Sequence, residues 1–254
     1  RVTARAGHPY VKLYQQERER PVVLLLDLNP GMFFGTRGAF KSVVGARIAA
    51  LIGWAATASG DRVGAQLFNG GHREIQPRGG RPGALRLIRS LVQATDLERG
   101  MQAAPHPDAL NGALQRLRRV ARPGSLVFVI SDFYVIDDET RKHLLRLRRH
   151  ADAIAVQVVD PLELAAPPPG RYGITDGAEK GILDTRVRLE QAAYSQWFTR
   201  HHEQVRRLMQ SVAIPLLQIS TTDDVASVLR VFLANPHRAN PQTNVEGADT
   251  SEAA

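Results

Sequence analysis

The stretch Val22-Val23-Leu24-Leu25-Leu26-Asp27-Leu28-Asn29-Pro30-Gly31-Met32 constrains this chain more than any other. Five consecutive Val and Leu residues cannot alternate between core and water, so a strand here buries both of its faces. That is the mark of a central strand in a parallel sheet. Residues 125–130 and 153–159 read the same way and also end in acids, at Asp132 and Asp160. Ligands of such sheets bind beyond the carboxyl ends of the strands, which is where Asp27 falls.

Around these strands the pattern alternates. Helices are expected at 41–59, 82–95, 107–121, 137–149, 190–212 and 223–233. Further strands are expected at 62–68, 73–76 and 214–219, with 73–76 antiparallel at the edge of the sheet. Small residues at Gly45, Ala46, Ala49, Ala50 and Gly53 allow the first helix to approach the sheet closely. Strands and helices in this order mean right-handed βαβ units and an α/β fold with helices on both faces. Residues 1–20 read as a lead-in to the domain at 21–234. The segment 161–188 is a Pro/Gly-rich insertion with short strand-like pieces near 171–175 and 182–187, and 235–254, polar and small, reads as a disordered tail. Because the chain begins at Arg1 rather than Met, the lead-in is expected to follow a truncated upstream segment.

Composition narrows the chemistry. The chain has no cysteine, which removes disulfides, thiol nucleophiles and cysteine-zinc sites and points to the cytoplasm. No apolar run reaches the ~20 residues that span a bilayer; residues 43–58 come nearest and are interrupted by Arg47. The net charge of +8 is carried mainly by arginines in helical clusters without interleaved aromatics. Solvated helix faces and last turns account for them better than a nucleic-acid surface does.

Asp27 and Asp132 can share a hard divalent cation at the sheet edge, or they can cap turns. Asp160-Pro161 reads as a turn. The eight histidines form no His-x-x-x-His pair, and residues 31–38 lack the Gly-Lys-Ser/Thr ending of a phosphate loop. Ser131 has no histidine to serve as its base. Met32, Phe33 and Phe34 form an apolar knuckle beside this site, suited to core packing or, on the sharper reading, to contact with a partner.

Seven short stretches, in order, then carry a resemblance. They are Arg1-Val2-Thr3-Ala4-Arg5, Glu17-Arg18-Glu19-Arg20-Pro21-Val22, Met32-Phe33-Phe34-Gly35-Thr36, Gly60-Asp61-Arg62-Val63-Gly64, Ile130-Ser131-Asp132-Phe133, Asp160-Pro161-Leu162-Glu163 and Thr221-Thr222-Asp223-Asp224. Through them the chain, to about residue 233, resembles the domain of unknown function 58 family. These are von Willebrand factor A-like bacterial proteins that partner MoxR-type AAA+ ATPases. The resemblance implies a Rossmann-like von Willebrand factor A-type sheet. It also implies a metal-ion-dependent adhesion site built from a first-loop Asp-x-Ser-x-Ser, a second-loop Thr and a third-loop Asp. Asp27 matches the first Asp and Asp132 the last. Asn29 and Gly31 stand in the serine places, and Asp108 in the probable Thr place, so the site is degenerate.

The expected ligand set for a Mg²⁺ ion is therefore Asp27, Asn29, Asp108 and Asp132. The function implied is a non-enzymatic interaction module working with a MoxR-type ATPase on an unidentified client protein, without nucleic acid. The alternative is a metal-dependent phosphoesterase or nuclease. Two well-placed acids are few for that chemistry, and Asn29 stands where aspartyl phosphatases place a second Asp.

Overall fold

The computed structural model of the protein describes residues 20–69, 71–97, 106–175 and 180–234. The lead-in up to residue 19 and the tail from 235 lie outside the described residues.

A six-stranded sheet forms the middle layer, in the order β3-β2-β1-β4-β5-β8. Its strands are β1 (Pro21–Asp27), β2 (Arg62–Asn69), β3 (Gly71–Gly79), β4 (Leu126–Ser131), β5 (Asp152–Val159) and β8 (Leu216–Ser220). All neighbours pair in parallel except β3, which runs antiparallel to β2 at the edge, as expected. That edge strand is longer than the 73–76 read from the sequence, because the ladder continues through Gly71 and Gly79 with a register shift between Val63 and Ala65.

Alternation along β1 splits its side chains between two cores. Val22, Leu24 and Leu26 join the cluster under α1 (Lys41–Ala58), α2 (Gly80–Ala94) and α7 (Val225–Ala234). Val23 and Leu25 join the cluster under α3 (Ala109–Val120), α4 (Asp138–Arg148) and α6 (Arg188–Ser211). Both faces of β1 are thus covered, as five successive apolar residues require. The small residues of α1 set its depth. A Cβ on Gly45 would lie 2.8 Å from Leu26 Cδ1, and one on Gly53 would lie 2.4 Å from Leu87 Cδ2.

The described residues of the 161–188 segment carry the two short strands read from the sequence, the first at 171–175 and the second displaced a little toward the N-terminus of the expected 182–187. The segment opens with a one-turn helix, α5 (Pro161–Leu164), then forms a separate hairpin of β6 (Arg171–Thr175) and β7 (Lys180–Asp184). Asp137 caps α4 in a reciprocal box with Thr140, and the helix runs from Asp138 and Glu139 to Arg146 and Arg148, along its dipole.

Candidate functional site

Three loops leave the carboxyl ends of β1, β4 and β5 and meet beneath the start of α1. Asp27 ends β1 almost wholly buried. Its Oδ1 accepts from the Asn29 backbone N–H at 2.9 Å and from Asn29 Nδ2 at 2.8 Å. Its Oδ2 accepts from Ser131 Oγ at 2.6 Å. Burial, and then the nearby charge of Asp132, push the Asp27 carboxyl up to about 7 against the pull of these hydrogen bonds. Ser131 Oγ in turn accepts from the Phe133 N–H.

Phe133 holds a φ of +54°, a left-handed conformation that costs a bulky residue roughly 1–2 kcal/mol. The turn swings the chain so that Asp132 faces inward and Tyr134 outward. Asp132 Oδ1 accepts from the Tyr134 N–H at 3.1 Å, and its Oδ2 accepts from Lys41 Nζ at 2.9 Å.

Lys41 is the first residue of α1 and is only 2% exposed. Its ammonium also donates to Glu163 Oε1 at 2.6 Å and stands 5.9 Å from the centre of the Phe34 ring. Burial alone would lower the pKa of this lysine. The charges of Asp132 and Glu163, with their hydrogen bonds, outweigh that and raise it, so the ammonium stays protonated.

Glu163 belongs to a capping box on α5. Its Oε2 accepts from the Asp160 N–H, while Asp160 Oδ1 accepts from the Leu162 N–H. Asp160 is fully buried and ties three loops together, accepting from Thr36 N and Oγ1 and from Thr221 Oγ1. Burial works to raise its pKa, but these donors prevail and hold it below the ordinary carboxylate value. The Asp-Pro turn read from the sequence is therefore present, with a cross-linking role added to it.

Of the four residues expected to share a cation, Asp27, Asn29 and Asp132 gather at this edge. Asp108 does not join them. It stands at the N-terminus of α3, with no side-chain capping bond, and lines another cleft, of about 380 Å³, with Asn111, Arg116 and His143. Among the described residues no three His, Asp or Glu side chains form a metal-holding group.

The donor set at the edge does not fit a divalent ion. The Asn29 amide turns its N–H toward Asp27, and its Oδ1 is buried without a partner. Both oxygens of Asp132 are occupied, one of them by a cation. A Cβ on Gly31 would lie 3.0 Å from Asp132 Oδ2, so the second serine place is closed as well as empty of a hydroxyl. Lys41 and Glu163 were not singled out from the sequence. Two signals pointed to them: a cation in the first turn of a helix opposes the dipole unless acids meet it, and Asp-x-x-Glu is a capping pattern.

α6 roofs this cluster. His202 Nε2 lies 3.1 Å from the Glu163 carbonyl oxygen, and the Tyr194 hydroxyl donates to the Leu162 carbonyl. Trp197 packs against Tyr134 at 5.4 Å between ring centres and stacks on His201. Met32 and Phe33 of the knuckle are buried in the core, as expected, whereas Phe34 is left 40% exposed.

An uncharacterised protein of Mycobacterium tuberculosis is 28% identical over 244 residues, spanning 93% of this chain and 74% of the relative. An uncharacterised protein of Mycobacterium bovis matches to the same extent. Among solved structures, the conserved hypothetical protein BatB from Bacteroides thetaiotaomicron aligns with a TM-score of 0.51 at 12% identity, covering 84% of this chain and 95% of that one. An aerotolerance-related membrane protein from Bacteroides fragilis aligns with a TM-score of 0.53 at 11% identity, covering 85% and 97%. At such identities the likeness is one of fold. The expected α/β fold, a central mainly parallel sheet with helices on both faces, is borne out. The sequence model of the family described as "Protein of unknown function DUF58" matches residues 1–207, and the chain belongs to that family.

Proposed function

We propose that this domain is a non-enzymatic protein-interaction module whose contact surface is the carboxyl edge of the sheet. Its partner, on the family resemblance, is a MoxR-type AAA+ ATPase, and its role is chaperone-like assembly or maturation of a client protein in the cytoplasm. The observation that carries the reading is an apolar rim around a closed polar centre. Phe34 beside Lys41, Tyr134 and Val135 after Asp132, Leu164 after Glu163, and Trp197 against Tyr134 are 40% to 56% exposed. Contiguous exposed apolar surface marks interaction sites, and aromatic side chains dominate their energetics.

The polar centre itself is poorly suited to turnover. The Ser131 hydroxyl is fully buried and already donates to Asp27. His201 is stacked on Trp197 and His202 lies against the Glu163 carbonyl, so neither ring faces an exposed hydroxyl. In-line phosphoryl displacement needs ions held by clustered acids, and here the acids are neutralised from within. No helix among the described residues is long and apolar enough to cross a membrane. Several exposed arginines are also paired locally, as Arg206 and Arg207 are with Glu203.

A pull-down of the full-length protein with a MoxR-type ATPase, with and without Mg²⁺, tests the proposal. Retention under both conditions is expected. Absence of capture would overturn the partnership. Hydrolysis of a phosphomonoester or phosphodiester with Mn²⁺, lost on Asp27→Ala, would overturn the non-enzymatic reading.

A further inference from the structure

Every carboxylate oxygen of Asp132 and Glu163 has a partner, and the two that face each other share one ammonium. Asp132 Oδ1 takes the Tyr134 N–H and Glu163 Oε2 takes the Asp160 N–H. Asp132 Oδ2 and Glu163 Oε1 both take Lys41 Nζ, at 2.9 and 2.6 Å. These acids leave different strand ends, β4 and β5, while Lys41 opens the helix that follows the β1 loop. The ammonium therefore bridges three of the loops at the carboxyl edge, as a bound cation would.

Its position has no other evident cause. A cation in the first turn of a helix is unfavourable with respect to the dipole, and a lysine side chain is almost never fully buried unless it is paired. α1 could begin with any apolar residue if packing alone mattered, since its next turns carry Val44, Gly45 and Ile48 inward. On the facing loop, Gly31 leaves just enough room for Asp132 Oδ2 to lean toward the ammonium, with 3.0 Å to an added Cβ. The missing serine hydroxyls and the buried ammonium are thus two sides of one arrangement.

We infer that the Lys41 ammonium is the resident cation of this sheet edge, taking the place of a divalent ion, so that the edge is complete without metal. The inference stands on the polar cluster alone and holds whichever partner docks on the rim.

The test uses Mn²⁺ as the probe. Calorimetric titration of the intact protein with Mn²⁺ is expected to show no saturable binding, and its melting temperature is expected to be the same in excess EDTA and in millimolar Mn²⁺. Lys41→Met strands two buried carboxylates, and its melting temperature should fall by about 10 °C. Millimolar Mn²⁺ should then recover part of that loss, and the recovery should vanish when Asp132→Asn is added. Saturable Mn²⁺ binding by the parent that Asp132→Asn abolishes would overturn the inference. So would a Lys41→Met protein that melts with the parent, or one whose loss no divalent ion recovers, since the ammonium would then be an ordinary buried ion pair. If Lys41→Met is insoluble, Lys41→Gln takes its place in the recovery experiment, while the parent titration, which needs no variant to fold, still overturns the inference if it shows saturable binding.

Discussion

Lys41 Nζ and Asp132 Oδ2 lie 2.9 Å apart in a space nearly closed to water, and 91 residues separate them in the chain. Such a pair is costly to break and inexpensive to replace. Removing one partner leaves an uncompensated buried charge, while exchanging the whole set for neutral groups of similar size restores most of the loss.

Lys41→Met alone is therefore expected to cost about 3–5 kcal/mol of folding free energy. The triple variant Lys41→Met, Asp132→Asn, Glu163→Gln is expected to recover most of that, because no buried charge remains unpaired. Urea denaturation of the two proteins measures the difference. Equal destabilisation in both would show that the lysine stem, rather than its charge, supports the site.

Asp27 predicts a pH dependence of opposite sign to that of an ordinary paired carboxylate. Its pKa is raised to about 7 in the folded protein from an ordinary value of 3.8, by burial first and then by the Asp132 charge. Between these values the unfolded chain has lost the proton and the folded one retains it, so stability falls as pH rises and levels off above about 7. Asp27→Asn keeps acceptor and donor groups for Asn29 and Ser131 and removes the titration. The variant should gain on the parent between pH 5 and pH 8. His201, whose pKa burial depresses, changes stability with pH in the opposite sense, and Glu163, raised by burial against the pull of Lys41, changes it in the same sense as Asp27. The difference between variant and parent isolates Asp27 from both. A parent whose stability rises over that range relative to Asp27→Asn would refute the assignment.

β1 was legible because burial on both faces leaves an unbroken apolar run, and the terminal Asp27 marks where the strand stops. Asp132 and Asp160 were legible for the same reason. Lys41 was not. Its partners lie 91 and 122 residues away, and a local window sees only a lysine opening a helix. Asp108 was assigned to the cluster on resemblance, whereas its main chain starts α3 and carries it to a cleft beside Arg116. The α6 roof was legible as a helix, but which of its aromatics face Tyr134 depends on how the β5 to α6 connection folds. Proline and glycine composition does not reveal that.

Restoring a serine at Gly31 should not restore a metal site. Its Cβ would come 3.0 Å from Asp132 Oδ2, which Lys41 holds in place, so the carboxylate must shift or the loop must give. Gly31→Ser is expected to destabilise the fold by about 1–2 kcal/mol, the usual cost of overpacking. It should still melt at the same temperature with and without Mg²⁺. A Mg²⁺-dependent rise in melting temperature for this single variant would mean that the ammonium yields its place readily.

The rim supplies the last prediction. Tyr134 and Trp197 meet at 5.4 Å between ring centres, on different elements, and are 56% and 43% exposed. Each therefore leaves a large apolar face open while the other side packs on its neighbour. Truncating Tyr134 removes less than half of a side chain's area from the fold and truncating Trp197 somewhat more than half, so melting is expected to move less for Tyr134→Ala than for Trp197→Ala and is measured for both. If this pair is the centre of an interface, the same truncations remove a hot-spot aromatic, and binding to the MoxR-type ATPase should weaken by about 2 kcal/mol, roughly thirtyfold. Asp27→Asn is the control, because its carboxyl is buried beneath the rim and engaged with Asn29 and Ser131. Surface plasmon resonance on the three variants separates the cases. Weakened binding by both aromatic variants with the control unchanged places the contact on the rim. Unchanged binding by both aromatic variants, with the fold intact, removes the sheet edge from the interface and turns attention to the exposed Ile174 and Ile182 of the β6–β7 hairpin.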